Sequence, residues 1–203
     1  MTGTGTEVGK TWVTAGTIHI LRRLGHHARA RKPVQSFDPG TGRTDAEILA
    51  AASGEDAHEV CPPHRWLGVP LAPPIAAAQL GVDPFTIADL VSEIAVPHDG
   101  FLLVETAGGA RSPLAADGDA VDLAAALHPE AVILVADANL GAINAVRLSH
   151  EAFAKWRVIV FLNRYDERDR THFSNRKWLA EVDGYDVVVD CEQLSTRLIQ
   201  EDR

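Results

Sequence analysis

Gly3-Thr4-Gly5-Thr6-Glu7-Val8-Gly9-Lys10-Thr11 runs without a break into a segment of helical period, and no other stretch of the 203 residues constrains the fold as much. Glycines let successive backbone N–H groups turn inward around an anion. A helix that starts at once adds the partial positive charge of its N-terminus. Lys10 can carry an ammonium to terminal phosphates, and the Thr11 hydroxyl can ligate Mg²⁺ beside them. The common form of such a loop spaces its first and last glycines five apart. Here Gly3 and Gly9 are six apart, a variant longer by one residue. The helix that follows, 10–24, sets Val13, Ile18, Leu21 and Leu24 on one broad apolar face and stops at Gly25.

Downstream, short apolar runs alternate with helical segments. Phe101–Val104, 131–136 and 158–162 have the length and β-branched content of buried parallel strands. A shorter run lies at 187–189, and a weaker one at 28–34 is interrupted by arginines and Pro33. Helical period recurs at 45–52, 86–95, Ala120–Leu127, 143–155 and 171–182. This alternation implies βαβ units, so the expected class is α/β: one P-loop NTPase-like domain over 1–203, a mostly parallel sheet flanked by helices. The proline-rich stretch 53–84 is its least regular part. A phosphate loop normally connects a strand to a helix, and only Met1 and Thr2 precede Gly3. The first strand is therefore expected to be missing or truncated, with roughly five to eight more β-forming residues ahead of Met1.

Charge and composition remove several functions. With 28 acidic and 19 basic residues the net charge is -9, which argues against a global grip on nucleic acid or an anionic membrane. No apolar run approaches the ~18 residues of a membrane span, and no signal peptide opens the chain. Cys61 and Cys191 lie far apart and read as reduced thiols of a cytoplasmic protein. The nine histidines form neither an HExxH motif nor a Cys/His cluster, so zinc is not expected. There is no Gly-x-Ser-x-Gly elbow, and the four tryptophans are scattered.

TGTGTEVGKT at 2–11, KPVQS at 32–36 and ETAGG at 105–109 together resemble the dethiobiotin synthetase family, in order and spacing, from Thr2 to Asn163. The resemblance implies an ATP- and Mg²⁺-dependent cyclo-ligase that carboxylates 7,8-diaminopelargonic acid with CO₂ (or bicarbonate) and closes a ureido ring. It implies that Lys10 and Lys32 contact the phosphates, and that Thr6, Glu7, Val8, Gly9 and Thr11 cradle them. Thr11, Asp45 and Glu105 match the metal-binding positions. Asn163 matches an asparagine that hydrogen-bonds adenine. Ser36, Ala107, Gly108, Gly141 and Asn144 match substrate-facing positions, the last two at a helix N-terminus used across a homodimer interface. Two residues depart from the family pattern: Phe37 stands where glycine is common, and Thr106 follows Glu105 where glycine is usual. Independently of the family, Glu105 ends a buried strand, which is where open α/β sheets bind ligands. Asp45 sits at a helix start, where a carboxylate is also favoured without a ligand. Arg111 reads equally as a phosphate contact or as a surface arginine.

Other readings of the same motif remain. A regulatory P-loop ATPase of the partitioning type would carry an extra lysine early in the loop, where this chain has Thr2-Gly3-Thr4-Gly5. A carboxylate-activating amidoligase would need a glutaminase domain that 203 residues leave no room for. A nucleotide-binding homologue without turnover is the third.

Overall fold

The apolar runs align as parallel strands buried on both faces, as their unbroken hydrophobicity requires. The computed structural model describes residues 1–40 and 42–200. Its elements in chain order are β1 (Thr2–Gly3), α1 (Lys10–Arg23), β2 (Ala28–Arg31), β3 (Gln35–Ser36), α2 (Asp45–Ser53), α3 (Ala57–Val60), β4 (Trp66–Leu67), α4 (Pro73–Leu80) and α5 (Ile87–Ser92). They continue with β5 (Phe101–Val104), α6 (Ala120–Leu127), β6 (Val132–Asp137), α7 (Ala142–Ala152), β7 (Val158–Asn163), α8 (Arg170–Lys177), β8 (Asp186–Val188) and α9 (Cys191–Ile199).

β1, β6, β7 and β8 pair in that order, and β2 pairs with β5, every ladder parallel. Met1 joins the two groups. Its amine donates to the Val104 carbonyl at 2.9 Å and its own carbonyl accepts from the Thr106 N–H at 3.0 Å. Across the sheet the order is therefore β2-β5-β1-β6-β7-β8. β3 and β4 form a separate parallel pair, Gln35 opposite Trp66.

Alternate residues of β6 and β7 face opposite layers. Leu134, Val160 and Leu162 pack with Val146, Phe153 and Leu179 on one side. Ile133, Val135, Ile159 and Phe161 pack with Val13 of α1 and Leu194 of α9 on the other. Ile18 and Leu21 of α1 extend that second layer onto Ala28, Ala30 and Leu49. Each fully buried valine, leucine, isoleucine or phenylalanine among these contributes roughly 1.5–3 kcal/mol.

The expected short first strand is β1, two residues in the interior of the sheet. β2 ends at Arg31, ahead of Pro33, which has no N–H to give a ladder. The stretch 53–84 is more ordered than its prolines suggest: it holds α3, β4 and α4. Pro73 and Pro74 open α4, a position where the missing N–H is no loss. α9 has no counterpart among the helical segments expected from periodicity. Cys61 and Cys191 are free and buried, and burial pushes the Cys61 thiol up to about 12. Among the described residues no helix is long and apolar enough to cross a membrane.

Candidate active site

Between β1 and α1 the chain turns through two left-handed residues, Glu7 at φ 61° and Gly9 at φ 91°. Gly9 is required on two counts. Its φ disfavours a side chain, and a Cβ there would lie 2.0 Å from Asn163 Nδ2. The loop is anchored on both sides: the Thr4 N–H donates to Val135 O at 2.9 Å, and the Ala110 N–H to Gly3 O at 3.0 Å. Gly109 lies flat against it, 3.2 Å from Gly5 Cα at its Cβ position. Lys10 folds back over the loop and its Nζ donates to Gly5 O at 3.0 Å.

Beside the loop, four segments converge. Glu105 follows β5 and its side chain is fully buried. Lys32 follows β2, held by its N–H to Val60 O at 2.8 Å. Asp45 is the first residue of α2, whose start is fixed by the Thr44–Glu47 capping box and by Gln35 Oε1 accepting from the Ala46 N–H. Lys32 Nζ lies 2.7 Å from Glu105 Oε1 and 2.7 Å from Asp45 Oδ2. Thr11 Oγ1 is 2.7 Å from Asp45 Oδ1 and 2.9 Å from Glu105 Oε1. Thr14 Oγ1 donates to Glu105 Oε2 at 2.6 Å.

The charges tune one another. Burial opposes the charge on Lys32, but Glu105 and Asp45 outweigh it and raise its ammonium above the ordinary lysine range. Burial also opposes ionisation of Asp45, while Lys32 and the Thr11 hydroxyl hold its carboxyl below the usual range. Among the described residues no carboxylate pairs directly with Lys10. Burial and then Lys32 push it down to about 8, with Glu105 and Asp45 pulling the other way.

The structure thus brings Lys10, Thr11, Lys32, Asp45 and Glu105 together. Asn163 ends β7 on the far side of the loop, and its Nδ2 donates to Val8 O at 2.9 Å. Ala107 and Gly108 lead away from Glu105 in a turn where Gly108 has φ 69° and the Gly109 N–H donates to Ser112 Oγ. Ser36 lies in the β3–β4 pair, and Phe37 beside it meets Trp66 edge-on at 6.0 Å. Gly141 (φ 96°) and Asn144 open α7; among the described residues no hydrogen bond ties them to the Lys32 cluster. Thr6 and Glu7 are exposed in the loop. Arg111 pairs with Asp119 at 3.0 Å on the surface.

Two members of the site were not expected from the sequence. Thr14 comes nearly one helical turn after Thr11 and shares its face, a signal that was available. Arg164 (φ 57°) grips Asp137 Oδ2 at 2.6 Å and the Glu7 carbonyl at 3.0 Å, and no spacing in the sequence announces that. A hydroxyl and two carboxylates are hard oxygen donors of the kind that can hold a small divalent cation, and the Lys32 ammonium lying between the carboxylates shows that they accept positive charge.

A phosphate loop in the middle of a parallel sheet, with ammonium, hydroxyl and carboxylate groups gathered where the strands end, defines a nucleotide-binding protein of the P-loop class. The sequence accordingly matches, over residues 1–192, a family profile described as an AAA domain. The ATP-dependent dethiobiotin synthetase of Haloferax mediterranei is 40% identical over 187 residues, covering 90% of this chain and 78% of the relative. The enzyme of that name from Xanthomonas oryzae pv. oryzae is 39% identical over 165 residues, 76% of this chain and 70% of the relative. Its namesake from Anaeromyxobacter is 41% identical over 155 residues, 75% and 68%. The chain belongs to the dethiobiotin synthetase family.

Proposed function

We propose that this protein makes dethiobiotin from 7,8-diaminopelargonic acid, CO₂ and ATP. The observation that supports it most is the meeting of Lys10, Lys32, Thr11, Asp45 and Glu105 beside the loop, in a chain about two-fifths identical to enzymes of that name. One amine of the substrate adds to CO₂ and loses a proton, giving a carbamate. A carbamate oxygen attacks the γ-phosphorus, the bond to ADP breaks, and a carbamic–phosphoric anhydride forms. The second amine then attacks the carbonyl carbon, phosphate leaves, and the ring closes. Such phosphoryl transfer needs positioning and charge neutralisation more than a protein nucleophile.

Lys10 is assigned to the terminal phosphates and Lys32 to the phosphoryl group and the carbamate. The backbone of Thr6, Glu7, Val8 and Gly9 forms the cradle. Thr11, Asp45 and Glu105 would hold Mg²⁺, which when bound supplies neutralising charge to phosphate oxygens. Asn163, besides bracing Val8, offers an amide edge to adenine. Ser36, Ala107 and Gly108 would face the diamine. Gly141 and Asn144, at the positive end of α7, suit the substrate's carboxylate when a second copy of the chain completes the site as a homodimer. The setting we infer is cytoplasmic, with no nucleic-acid or membrane partner.

The test is incubation with MgATP, bicarbonate and diaminopelargonic acid, reading dethiobiotin by mass spectrometry. Product that depends on all three is expected. Nucleotide hydrolysis indifferent to the diamine, with no product, would favour the regulatory ATPase reading instead.

A further inference from the structure

Consecutive residues at the end of β7 hold consecutive carbonyls of the phosphate loop. Asn163 Nδ2 donates to Val8 O at 2.9 Å, and Arg164 Nη2 donates to Glu7 O at 3.0 Å. In a trans peptide the C=O and the following N–H point opposite ways. Fixing these two carbonyls toward 163–164 therefore turns the N–H groups of Gly9 and Val8 away from them. Among the described residues neither N–H donates within the chain, which leaves both for a ligand. The bond from Arg164 to Glu7 also joins two residues in the left-handed region, at φ 57° and φ 61°. A non-glycine residue keeps that conformation only where its surroundings hold it, and such residues gather at functional sites.

What holds Arg164 runs back to α8. Its Nη1 pairs with Asp137 Oδ2 at 2.6 Å, but the Arg164 side chain is 56% exposed, and an exposed ion pair by itself fixes little. Asp137 is held in turn. Its Oδ1 accepts from the Asn139 N–H at 3.0 Å and from Asn139 Nδ2. Burial opposes the charge on Asp137; the Asn139 N–H, Arg164 and the Asn139 amide outweigh it and hold the carboxyl below the usual range. Asn139 Oδ1 lies 3.1 Å from His172 Nε2. The other ring nitrogen, Nδ1, accepts from the Asp166 N–H at 3.0 Å, which puts the ring proton on Nε2 and makes His172 the donor to Asn139. His172 is buried on α8, and Asn175, three residues on, donates from its Nδ2 to the carbonyls of Ala138 at 2.9 Å and Asn139 at 3.0 Å. α8 thus grips the segment after β6 by side chain and main chain together.

We propose that His172 is a positioning residue for the nucleotide: through Asn139, Asp137 and Arg164 it fixes the Glu7 carbonyl, and with it the direction of the Val8 N–H. The proposal rests on the loop backbone being the phosphate cradle. No atom of His172 touches the nucleotide.

His172 also holds the turn after Arg164 through Asp166, and the test separates the two roles. Glutamine can place its amide nitrogen where Nε2 lies and keep the donor to Asn139. Asparagine can place its amide oxygen where Nδ1 lies and keep only the acceptor for Asp166. Calorimetric titration with MgADP is the readout, so the result does not depend on turnover. Arg164→Ala removes the last link and should raise Kd about fivefold. His172→Asn and Asn139→Ala should each raise it about threefold, whereas His172→Gln should match the parent. Added to Arg164→Ala, His172→Asn should change nothing further. If His172→Asn does not fold, Asn139→Ala, which leaves Asp166 its acceptor, decides alone. The reverse order, asparagine binding like the parent and glutamine weakened, overturns the proposal. Unchanged affinity in every variant, or losses that add in the double variant, overturn it too. A parent chain that binds no MgADP overturns the reading of the loop itself, and this proposal with it.

Discussion

Glu105→Gln removes one negative charge from the fully buried end of β5 while keeping the side chain's shape. Three donors meet that carboxylate: Lys32 at 2.7 Å, Thr11 at 2.9 Å and Thr14 at 2.6 Å. A glutamine can keep its Oε1 toward Lys32 and Thr11 and turn its NH₂ toward Thr14, whose hydroxyl then accepts. What it cannot replace is the countercharge for an ammonium whose side chain is only 2% exposed. Breaking a buried ion pair by removing one partner costs about 3–5 kcal/mol. Lys32 retains Asp45 at 2.7 Å, and that side chain is 41% exposed, so about half of the cost is expected, roughly 2 kcal/mol. For a chain of this size that is a drop in Tm of about 4–8 °C. Urea melts at constant m would measure it. The double variant Glu105→Gln with Lys32→Met removes both charges and should lose less than the sum of the two single changes. A single variant as stable as the parent, or strictly additive losses, would refute the account of the pair.

Lys10 gives a pH signature: with its ammonium held at about 8, affinity for MgADP should weaken as pH rises through that value, while Lys10→Met binds weakly and without that dependence; calorimetric titration either side of pH 8 decides it, and a flat parent profile counts against the assignment. Gly9→Ala should destabilise by about 1–3 kcal/mol through its φ of 91° and its collision with Asn163, and adding Asn163→Ala should recover only the collision part in urea melts. Arg164→Ala frees the Glu7 carbonyl, and a net hydrogen bond of about 1 kcal/mol predicts an increase of about fivefold in the KM for ATP, with kcat held.

Local chemistry explains what was legible. The glycine pattern, the Lys10–Thr11 pair and the apolar runs each act within a few residues, so they can be read along the chain. Phe101–Val104 and Ala120–Leu127 fall where hydrophobic period puts them. Asp45 and Lys32 required the resemblance, because their meeting depends on α2 packing back over the end of β2. α4 was hidden by Pro73 and Pro74, which open a helix only because the alanines after them continue it. Arg164 was out of reach for a different reason: besides Asp137, its partner in the loop is a backbone carbonyl 157 residues earlier, and a carbonyl leaves no mark in a sequence.

The order of the strands also gives the site a direction. Parallel strands end on one edge of the sheet, so the residues just past their ends share a rim. Along that rim Lys32 succeeds β2, Glu105 succeeds β5, the phosphate loop succeeds β1, and Asn163 ends β7 beyond β6. The charges of Lys32, Asp45 and Glu105 therefore lie on the β2–β5 side of the loop, and the Asn163 amide lies on the β7 side beside the Arg164–Asp137 ion pair. A nucleotide laid along the rim has one favourable sense. On the roles proposed above, its terminal phosphate would meet the ammonium groups and its base would meet Asn163. Reversed, an uncharged base would have to displace Lys32 from two carboxylates, with nothing to repay the lost ion pairs. On the same proposed roles, the second substrate would approach from the β2–β3 side, past Ser36 and the Phe37–Trp66 edge. Phe37 sets an aromatic ring on that side, edge-on to Trp66 at 6.0 Å, where the diamine's alkyl chain would pass on that reading.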